Sequence, residues 1–366
     1  MREVFLRRQW EEAGAGFRER VGVEVPAAVS GEEAEYRLVR DSAGLTDFSH
    51  MRAYRIPEEN AIDFLDALVA GNVARTRFGR VLHTFLADPE GMLVADCYVA
   101  NNDEEFVLLC ESLVDDSELG AIFAAAGAAE AGLEPLTDTH VVLGVDGFRA
   151  WEVARKICGA DVVGIPYLGI EMYPFEQDTI RLIRAGKTSE FGYLFVVPHD
   201  SARRFFERVR SELQGVQGGL CGVDVHDCLR LEGRFFNIFA EGARVRDPLA
   251  LGLQWMIDFD KEAFVGREPI LARRSGGITR KIVGVRSDET IPVGASIFHG
   301  AEAVAEVVAT CRSYALNAGV ALALFPTELA FSGLDFSLGD SEGPKATTIS
   351  MPPIQPRSLT VKLDEM

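Results

Sequence analysis

The stretch Gly91-Met-Leu-Val-Ala-Asp-Cys-Tyr-Val99 carries much of the information about how this chain folds. Its apolar and β-branched residues predict a buried strand, and a single carboxylate, that of Asp96, is set into it. A carboxylate in an apolar strand is costly unless it is partnered or used chemically. Asp96 is therefore the first candidate for a functional residue.

A second strand-like run, Arg80-Val-Leu-His-Thr-Phe-Leu-Ala87, precedes this stretch, and the linker Asp88-Pro-Glu-Gly91 is rich in turn-forming residues. Together they predict an antiparallel hairpin. If the last residue of the first run pairs with Met92, His83 lies directly opposite Asp96 on the same face. Such a pair is either a proton-transfer device or a structural hydrogen bond at the rim of the sheet. A slip of one residue would place the two side chains on opposite faces.

Length and charge limit the number of domains and the class of partner. A chain of 366 residues suggests roughly two to three domains. The net charge of −19, from 37 basic and 56 acidic residues, argues against general binding of nucleic acid or of an anionic membrane surface. We therefore expect a small-molecule substrate, and neither nucleic acid nor a membrane as a partner.

The six cysteines are scattered, without CxxC spacing, and most lie in apolar runs. This is typical of free, buried thiols in a reducing compartment, and not of a disulfide framework or a zinc site. The N-terminus shows no secretory signal, and no uncharged apolar run reaches the ~18 residues that span a membrane. We expect a cytoplasmic protein without a metal site.

The periodicity of the chain changes along its length. Amphipathic patterns such as residues 61–69 and 200–213 predict helices, and they alternate with strand-like runs such as residues 179–183 and 193–197. After about residue 270, short strand-like segments separated by Gly, Pro and Ser dominate, the last being Leu359-Thr-Val-Lys362. The sequence therefore predicts an α+β architecture with a small all-β domain at its end.

Four motifs spread over most of the chain carry a family resemblance. They are Tyr36-Arg-Leu-Val-Arg-Asp-Ser-Ala-Gly-Leu-Thr-Asp-Phe-Ser-His-Met51, the hairpin of residues 79–99, Gly222-Val-Asp-Val-His-Asp-Cys-Leu-Arg-Leu-Glu-Gly233, and Asp247-Pro-Leu-Ala-Leu-Gly-Leu-Gln-Trp255 with Phe264-Val-Gly-Arg-Glu268. In this order they resemble the aminomethyltransferase (T-protein) family of the glycine cleavage system, which includes folate-dependent demethylases.

The resemblance implies three domains arranged as a cloverleaf around a central channel that binds folate. The first domain is expected to be discontinuous, comprising residues 1–47 and 139–269. The second, an inserted α+β domain of residues 48–138, carries the His83/Asp96 hairpin. The third, residues 270–366, is expected to be β-barrel-like.

The resemblance also implies tetrahydrofolate as the cofactor and an aspartate that assists transfer of a one-carbon unit. Asp96 stands at the position of that aspartate, and Ala95 replaces the aspartate that precedes it in the family. Met51 matches a cofactor contact of the family. Arg357 matches its C-terminal arginine.

The sequence departs from the family at positions that contact the ligand. Leu194 stands where the family has the glutamate that grips the pterin ring, and Lys187 replaces a tyrosine, although Glu190 matches the motif. A lost partner for a buried donor costs roughly 1–3 kcal/mol each. Further replacements are His226 for an arginine, Cys110 for an asparagine and His83 for a tyrosine.

Another carboxylate must therefore hold the ring, with Glu190, Glu111 and Asp224 as candidates, or folate is not the ligand. The full set of candidate cofactor-binding residues is Met51, Cys110, Lys187, Glu190, Tyr193, His226 and Arg357. The catalytic candidates are Asp96 and His83.

Three functions are compatible with these residues. The first is a tetrahydrofolate-dependent aminomethyl or methyl transferase, or demethylase, acting on a small-molecule donor and not on the lipoyl carrier protein. The second is a folate-independent lyase that releases a one-carbon fragment such as formaldehyde, with His83 and Asp96 as the acid-base pair. The third is a non-catalytic ligand-binding protein on the same scaffold.

Overall fold

The computed structural model describes residues 2–102 and 104–361. In chain order its strands are β1 (Arg2–Glu3), β2 (Gly16–Arg20), β3 (Val23–Ala28), β4 (Gly44–Asp47), β5 (Arg52–Pro57), β6 (Arg80–Ala87), β7 (Leu93–Asn101), β8 (Glu105–Ser112), β9 (Glu134–Pro135), β10 (His140–Asp146), β11 (Gly169–Phe175), β12 (Asp178–Arg184), β13 (Gly192–Pro198), β14 (Gly219–Leu220), β15 (Arg280–Ser287), β16 (Ser296–His299), β17 (Glu302–Ser313), β18 (Ala318–Pro326), β19 (Asp335–Leu338) and β20 (Lys345–Ile349).

The α-helices are α1 (Arg7–Glu12), α2 (Glu32–Asp41), α3 (Glu58–Leu68), α4 (Asp116–Ala125), α5 (Ala128–Ala131), α6 (Ala150–Cys158), α7 (His199–Gly215), α8 (Val223–Gly233), α9 (Ala243–Val245) and α10 (Arg267–Gly276). Short 3-10 turns cover Val73–Arg75, Ala160–Gly164, Gln254–Met256, Thr327–Leu329 and Arg357–Thr360, and Ile238–Gly242 forms a π-helical turn. Over the described ranges, none of these helices combines the length and the apolarity that a membrane crossing requires.

An eleven-stranded sheet organises the first part of the chain, in the order β14-β4-β10-β13-β12-β11-β6-β7-β8-β5-β9. At one end, helices α6 and α7 cover it through a core that includes Phe195 and Phe205. At the other end, α3 and α4 cover β5 to β8 through Phe64 and Phe123. Each helix buries an apolar face because its hydrophobic residues recur every three to four positions.

A third core lies on the face of the sheet that these helices leave open. Met51, Tyr98, Val142 and Leu194 belong to it, so strands from both ends of the sheet contribute. Strands alternate their side chains between the two faces, so neighbouring residues of one strand belong to different cores. This inward face is where the candidate site lies. Because one sheet runs through residues 44–198, the boundaries at 47 and 138 stay a prediction.

The C-terminal strands form a closed barrel in the order β15-β18-β17-β16-β19-β20. The α+β class with a C-terminal barrel is thus confirmed. The strand predicted at Leu359-Thr-Val-Lys362 is wrong over its described part, because Arg357–Thr360 is a 3-10 turn that follows Pro356. Lys362 lies outside the described residues.

Helix α8 joins the sheet to the barrel. Its Leu231 packs against Val308 and Leu322 of the barrel. The carboxylate of the next residue, Glu232, accepts hydrogen bonds from Arg40 at 2.8 Å and from Ser313 of strand β17. A single helix therefore touches both the inward face of the sheet and the barrel.

Candidate functional site

The hairpin brings His83 and Asp96 together, but through a register that differs from the predicted one. The turn is one residue longer than predicted, and a β-bulge beside Ala87 adds a second residue, so His83 pairs with Tyr98. The predicted pairing of Ala87 with Met92 is therefore wrong. A total shift of two residues keeps every side chain on its face. His83 and Asp96 are diagonal neighbours, and Nε2 lies 2.7 Å from Oδ1.

Lys187 connects Asp96 to a second buried carboxylate. Glu111 pairs with Asp96 across β7 and β8 and shares its face. The Nζ of Lys187, in the segment between β12 and β13, donates to Asp96 Oδ2 and, at 2.7 Å, to Glu111 Oε2. The carboxylate side chains have no exposed area and that of Lys187 is 6% exposed. The ammonium also lies 5.1 Å from the centroid of the Tyr98 ring.

Arg230 of α8 completes a network of alternating charges. Its Nη2 donates to Glu111 Oε1 at 2.7 Å, and His50 Nε2 lies 3.4 Å from the same oxygen. Burial alone raises the pKa of Glu111, but Arg230 and Lys187 outweigh it and hold that pKa well below its usual range. Glu111 is therefore a fixed anion.

Asp96 is ionised for a similar reason. Burial works to raise its pKa, but the Lys187 ammonium and His83 lower it below the usual value. Each oxygen has one partner, His83 on Oδ1 and Lys187 on Oδ2. The arrangement anchors a cation at a fixed place on the inward face of the sheet.

A pocket opens beside this network. Lys187 lies on its wall, between the open space and the fully buried Asp96. The polar lining residues are Tyr98, Asp146, Lys187, His226 and Arg230, and the others are Phe48, Met51, Ala185, Gly186 and Leu194. A concave, partly apolar site with a few convergent polar groups is typical of a small-molecule site.

Several polar atoms of this lining are buried without a hydrogen-bond partner among the described residues. They are Asp146 Oδ1, the Tyr98 hydroxyl, and Nε and Nη1 of Arg230. Buried polar groups are almost always paired, so a cluster of unpaired ones at a pocket indicates groups that a ligand satisfies. Burial raises the pKa of Asp146 to about 7, although Arg230 acts to lower it.

Three of the predicted cofactor-binding residues line this pocket: Met51, Lys187 and His226. His226 Nε2 lies 2.8 Å from the hydroxyl of Thr46. Burial lowers the pKa of His226 to about 3, and Arg230 acts in the same direction, so the imidazole is neutral near pH 7. The neutral ring cannot replace the charge of the family's arginine.

The other four predicted residues lie elsewhere. Cys110 points to the opposite face of β8, where its sulfur lies 3.3 Å from that of Cys97. Tyr193 belongs to the core beneath α7, because it occupies the opposite parity of β13 from Leu194. The remaining two are held by ion pairs: Glu190 with Arg40 at 3.2 Å, and Arg357 with Asp41 at 3.0 Å.

Two of the lining residues with a carboxylate or guanidinium group, Arg230 and Asp146, had no part in the candidate set. Arg230 stands in the quoted motif of α8, one turn after His226, and that spacing places both on one helix face. Asp146 ends an apolar strand, as Asp96 interrupts one, and the same cost of burial marks it as a candidate.

Comparison with known proteins places this chain in a family. The model of the "GCVT N-terminal domain" matches residues 6–261. The chain belongs to the GCVT family. It is 28% identical over 336 residues to the aminomethyltransferase of Desulfitobacterium hafniense (strain Y51), covering 90% of this chain and 91% of that one. It is 26% identical over 323 residues to that of Mycobacterium leprae (strain Br4923), covering 87% of each.

The fold has a counterpart among solved structures. The crystal structure of the glycine cleavage system aminomethyltransferase T from Bartonella henselae matches with a TM-score of 0.80 and 22% identity. The match covers 97% of this chain and 99% of that one. The two proteins therefore share one fold over nearly the whole of this chain.

The family implies tetrahydrofolate, and the pocket residues fit the pterin ring of that molecule. A planar polar ring needs apolar surfaces beside it, which Met51 and Leu194 supply. It also needs partners for its nitrogen and oxygen atoms, and Asp146, Tyr98 and Arg230 have unpaired polar atoms there.

Proposed function

We propose that this protein is a tetrahydrofolate-dependent one-carbon transferase that acts on a small-molecule aminomethyl or methyl donor. The observation that carries the proposal is the pocket of unpaired polar atoms next to the ionised Asp96–Lys187–Glu111 network. Tetrahydrofolate, when bound, supplies amine nitrogens that accept a one-carbon unit. This chain's residues would bind it, exclude water and hold protons.

Lys187 is the proton-holding group at the pocket wall. Its ammonium is held by the carboxylates of Asp96 and Glu111, whose side chains have no solvent-exposed area. In a water-poor site such a cation stabilises negative charge that develops nearby. Asp96 is thus a positioning residue for Lys187 in this geometry, and His83 in turn fixes Asp96.

Arg230 and the apolar residues have separate roles. The unpaired Nε and Nη1 of Arg230 offer hydrogen bonds to a carbonyl or carboxylate of the ligand. Phe48, Met51 and Leu194 keep water from the reacting groups.

Anaerobic calorimetric titration with tetrahydrofolate tests the proposal. We expect binding in the micromolar range, and about tenfold or greater loss of turnover in Asp96→Asn with binding retained, because this change weakens the anchor of Lys187. Turnover is measured as formaldehyde-equivalent transferred to tetrahydrofolate from a panel of N-methyl and aminomethyl compounds. Failure to bind tetrahydrofolate contradicts the proposal, and binding without turnover of any donor favours a ligand-binding protein.

The 2.7 Å contact between His83 and Asp96 supports a second candidate, the folate-independent lyase. A histidine oriented by a carboxylate acts as a general base near neutral pH. The rings of Tyr98 and Trp255 lie beside this imidazole, with centroids at 4.6 and 5.3 Å. Formaldehyde released from a donor in folate-free buffer, and abolished by His83→Phe, would favour this candidate over transfer.

A further inference from the structure

The carboxylates proposed as substitutes for the missing pterin-binding glutamate are all engaged. Glu190 accepts from Arg40 and from the hydroxyl of Ser358. Glu111 has Lys187 and Arg230 on its oxygens. The third, Asp224, is 37% exposed and pairs with Arg18 at the surface. None of them is available to a ligand in the pocket.

Asp146 has the opposite properties. Its side chain is buried and lines the pocket, and its Oδ1 has no partner within the described ranges. Leu194 pairs with Gly144 across β10 and β13, so Asp146 stands two residues along the neighbouring strand, on the same face. A carboxylate therefore lies on the strand next to Leu194, the position where the family has its glutamate, and two residues along from the direct pairing partner.

Two glycines leave room for this carboxylate. A Cβ on Gly186 would come within 2.7 Å of Asp146 Oδ1, and a Cβ on Gly192 within 2.5 Å. Both distances are shorter than non-bonded contacts allow, so a side chain at either position would displace the carboxylate.

We infer that Asp146 binds the paired N–H donors of the ligand's amino-pyrimidine edge, in place of the glutamate that Leu194 replaces. This inference rests on the proposed function, since it assigns the recognition of the same ligand. A carboxylate accepts two parallel hydrogen bonds from adjacent N–H groups, as it does from a guanidinium. Arg230, whose Nε and Nη1 are also without partners among the described residues, is the complementary donor for the ligand's acceptor atoms.

The charge on Asp146 makes this recognition depend on pH. Arg230 and His226 face it from α8 and Lys187 from the loop before β13, and the titratable Tyr167 and Cys221 also lie within its electrostatic reach. Its pKa of about 7 means that it is half protonated near neutrality. Because N–H donors favour the ionised form, affinity should rise with pH through this range and level off above it.

The test measures the affinity for tetrahydrofolate by anaerobic calorimetry at pH 6, 7 and 8, for the wild type and for Asp146→Asn. Losing ionised Asp146 should weaken binding about 10- to 100-fold at pH 8. Wild-type affinity should fall by up to about tenfold per unit below pH 7, and the variant should lack this slope. Asp47→Asn is the matched control, because Asp47 is also buried with a raised pKa but bonds to Trp10 and Ser49.

A rescue experiment keeps the inference falsifiable if Asp146→Asn alone is poorly folded. Leu194→Glu places a second carboxylate beside Asp146, and like charges so close oppose each other's ionisation, so this variant should not bind more tightly than the wild type. The double variant Asp146→Asn with Leu194→Glu should recover most of the lost affinity. Each variant is checked for folding by thermal unfolding.

The outcomes separate the inference from the proposed function. If the wild type fails to bind tetrahydrofolate at any of these pH values, the proposed function fails. If the wild type binds and Asp146→Asn binds equally well at pH 8 with the same pH slope, the inference alone is overturned. No recovery in the double variant, despite normal folding, also overturns it.

Discussion

Replacing Lys187 with methionine tests whether the charge network is cooperative. The change leaves an unbranched side chain one heavy atom shorter and removes the cation from between two carboxylates that have no exposed area. Breaking a buried ion pair from one side costs about 3–5 kcal/mol, because an uncompensated charge is left behind. Since Asp96 keeps His83 and Glu111 keeps Arg230, we expect the lower end, about 3 kcal/mol at pH 7.

Urea unfolding followed by circular dichroism measures this loss, with two further variants. Lys156→Met removes a half-exposed lysine paired with Glu212 at 3.3 Å and should cost less than about 1 kcal/mol after screening by solvent. The double variant Lys187→Met with Asp96→Asn should lose less free energy of unfolding than the two single variants lose together, by at least about 1 kcal/mol.

The pH dependence has a defined sign. The pKa of Asp96 and that of Glu111 are lowered in the folded protein, so their contribution to stability is present above the unfolded-state values and is lost as the pH falls through the folded ones. The difference between the wild type and Lys187→Met should therefore be largest near neutrality and shrink below about pH 4. An equally stable Lys187→Met at pH 7, or strict additivity in the double variant, would refute the reasoning.

Three more predictions follow from the geometry of the site. His83→Phe should keep tetrahydrofolate binding and lower transfer only several-fold, because His83 acts through Asp96; loss of tetrahydrofolate binding, measured by calorimetry, would contradict this. Gly192→Ala should destabilise the fold and weaken ligand binding, since its Cβ would meet Gly186 Cα at 2.4 Å, whereas Gly120→Ala in open space on α4 should stabilise by about 0.5–1 kcal/mol, and thermal unfolding distinguishes them. Proton NMR should show His226 neutral from pH 8 to pH 5, because burial lowers its pKa to about 3, and a shift midpoint near 6.5 would show that its environment is misassigned.

The fold was predictable from sequence because its signals are strong and local. The helix predicted at residues 200–213 is observed as His199–Gly215, and the runs at 179–183 and 193–197 lie in paired strands. The density of short apolar runs after residue 270 predicted an all-β domain there, and the family resemblance implied that it is barrel-like. The segment at residue 359 shows the limit, because β-branched residues there follow a proline and form a turn.

The candidate site was predictable in part, because every second residue of a strand points to the same face, and this alternation can be read from the sequence. A register shift by an even number of residues leaves His83 and Asp96 on the same face of the hairpin. The error in register therefore left their contact intact. By the same rule Cys110 lies on the face of β8 opposite to the pocket, since its neighbour Glu111 occupies the inward face. Asp146 was missed because its signal is an oxygen without a hydrogen-bond partner among the described residues. Which carboxylates find partners depends on pairings between residues far apart in the chain.

Helix α8 has a consequence for anyone who wishes to work with a shortened protein. Arg230 on this helix serves the pocket, and two residues later Glu232 bonds to Ser313 in the barrel while Leu231 packs against barrel side chains. Cutting the chain before residue 280 would remove the barrel and expose both the apolar surface at Leu231 and the buried carboxylate of Glu232. Both residues belong to the helix that shapes the ligand site. Structural studies, domain exchange and directed evolution of this scaffold should therefore treat the barrel as an inseparable part of the ligand-binding unit.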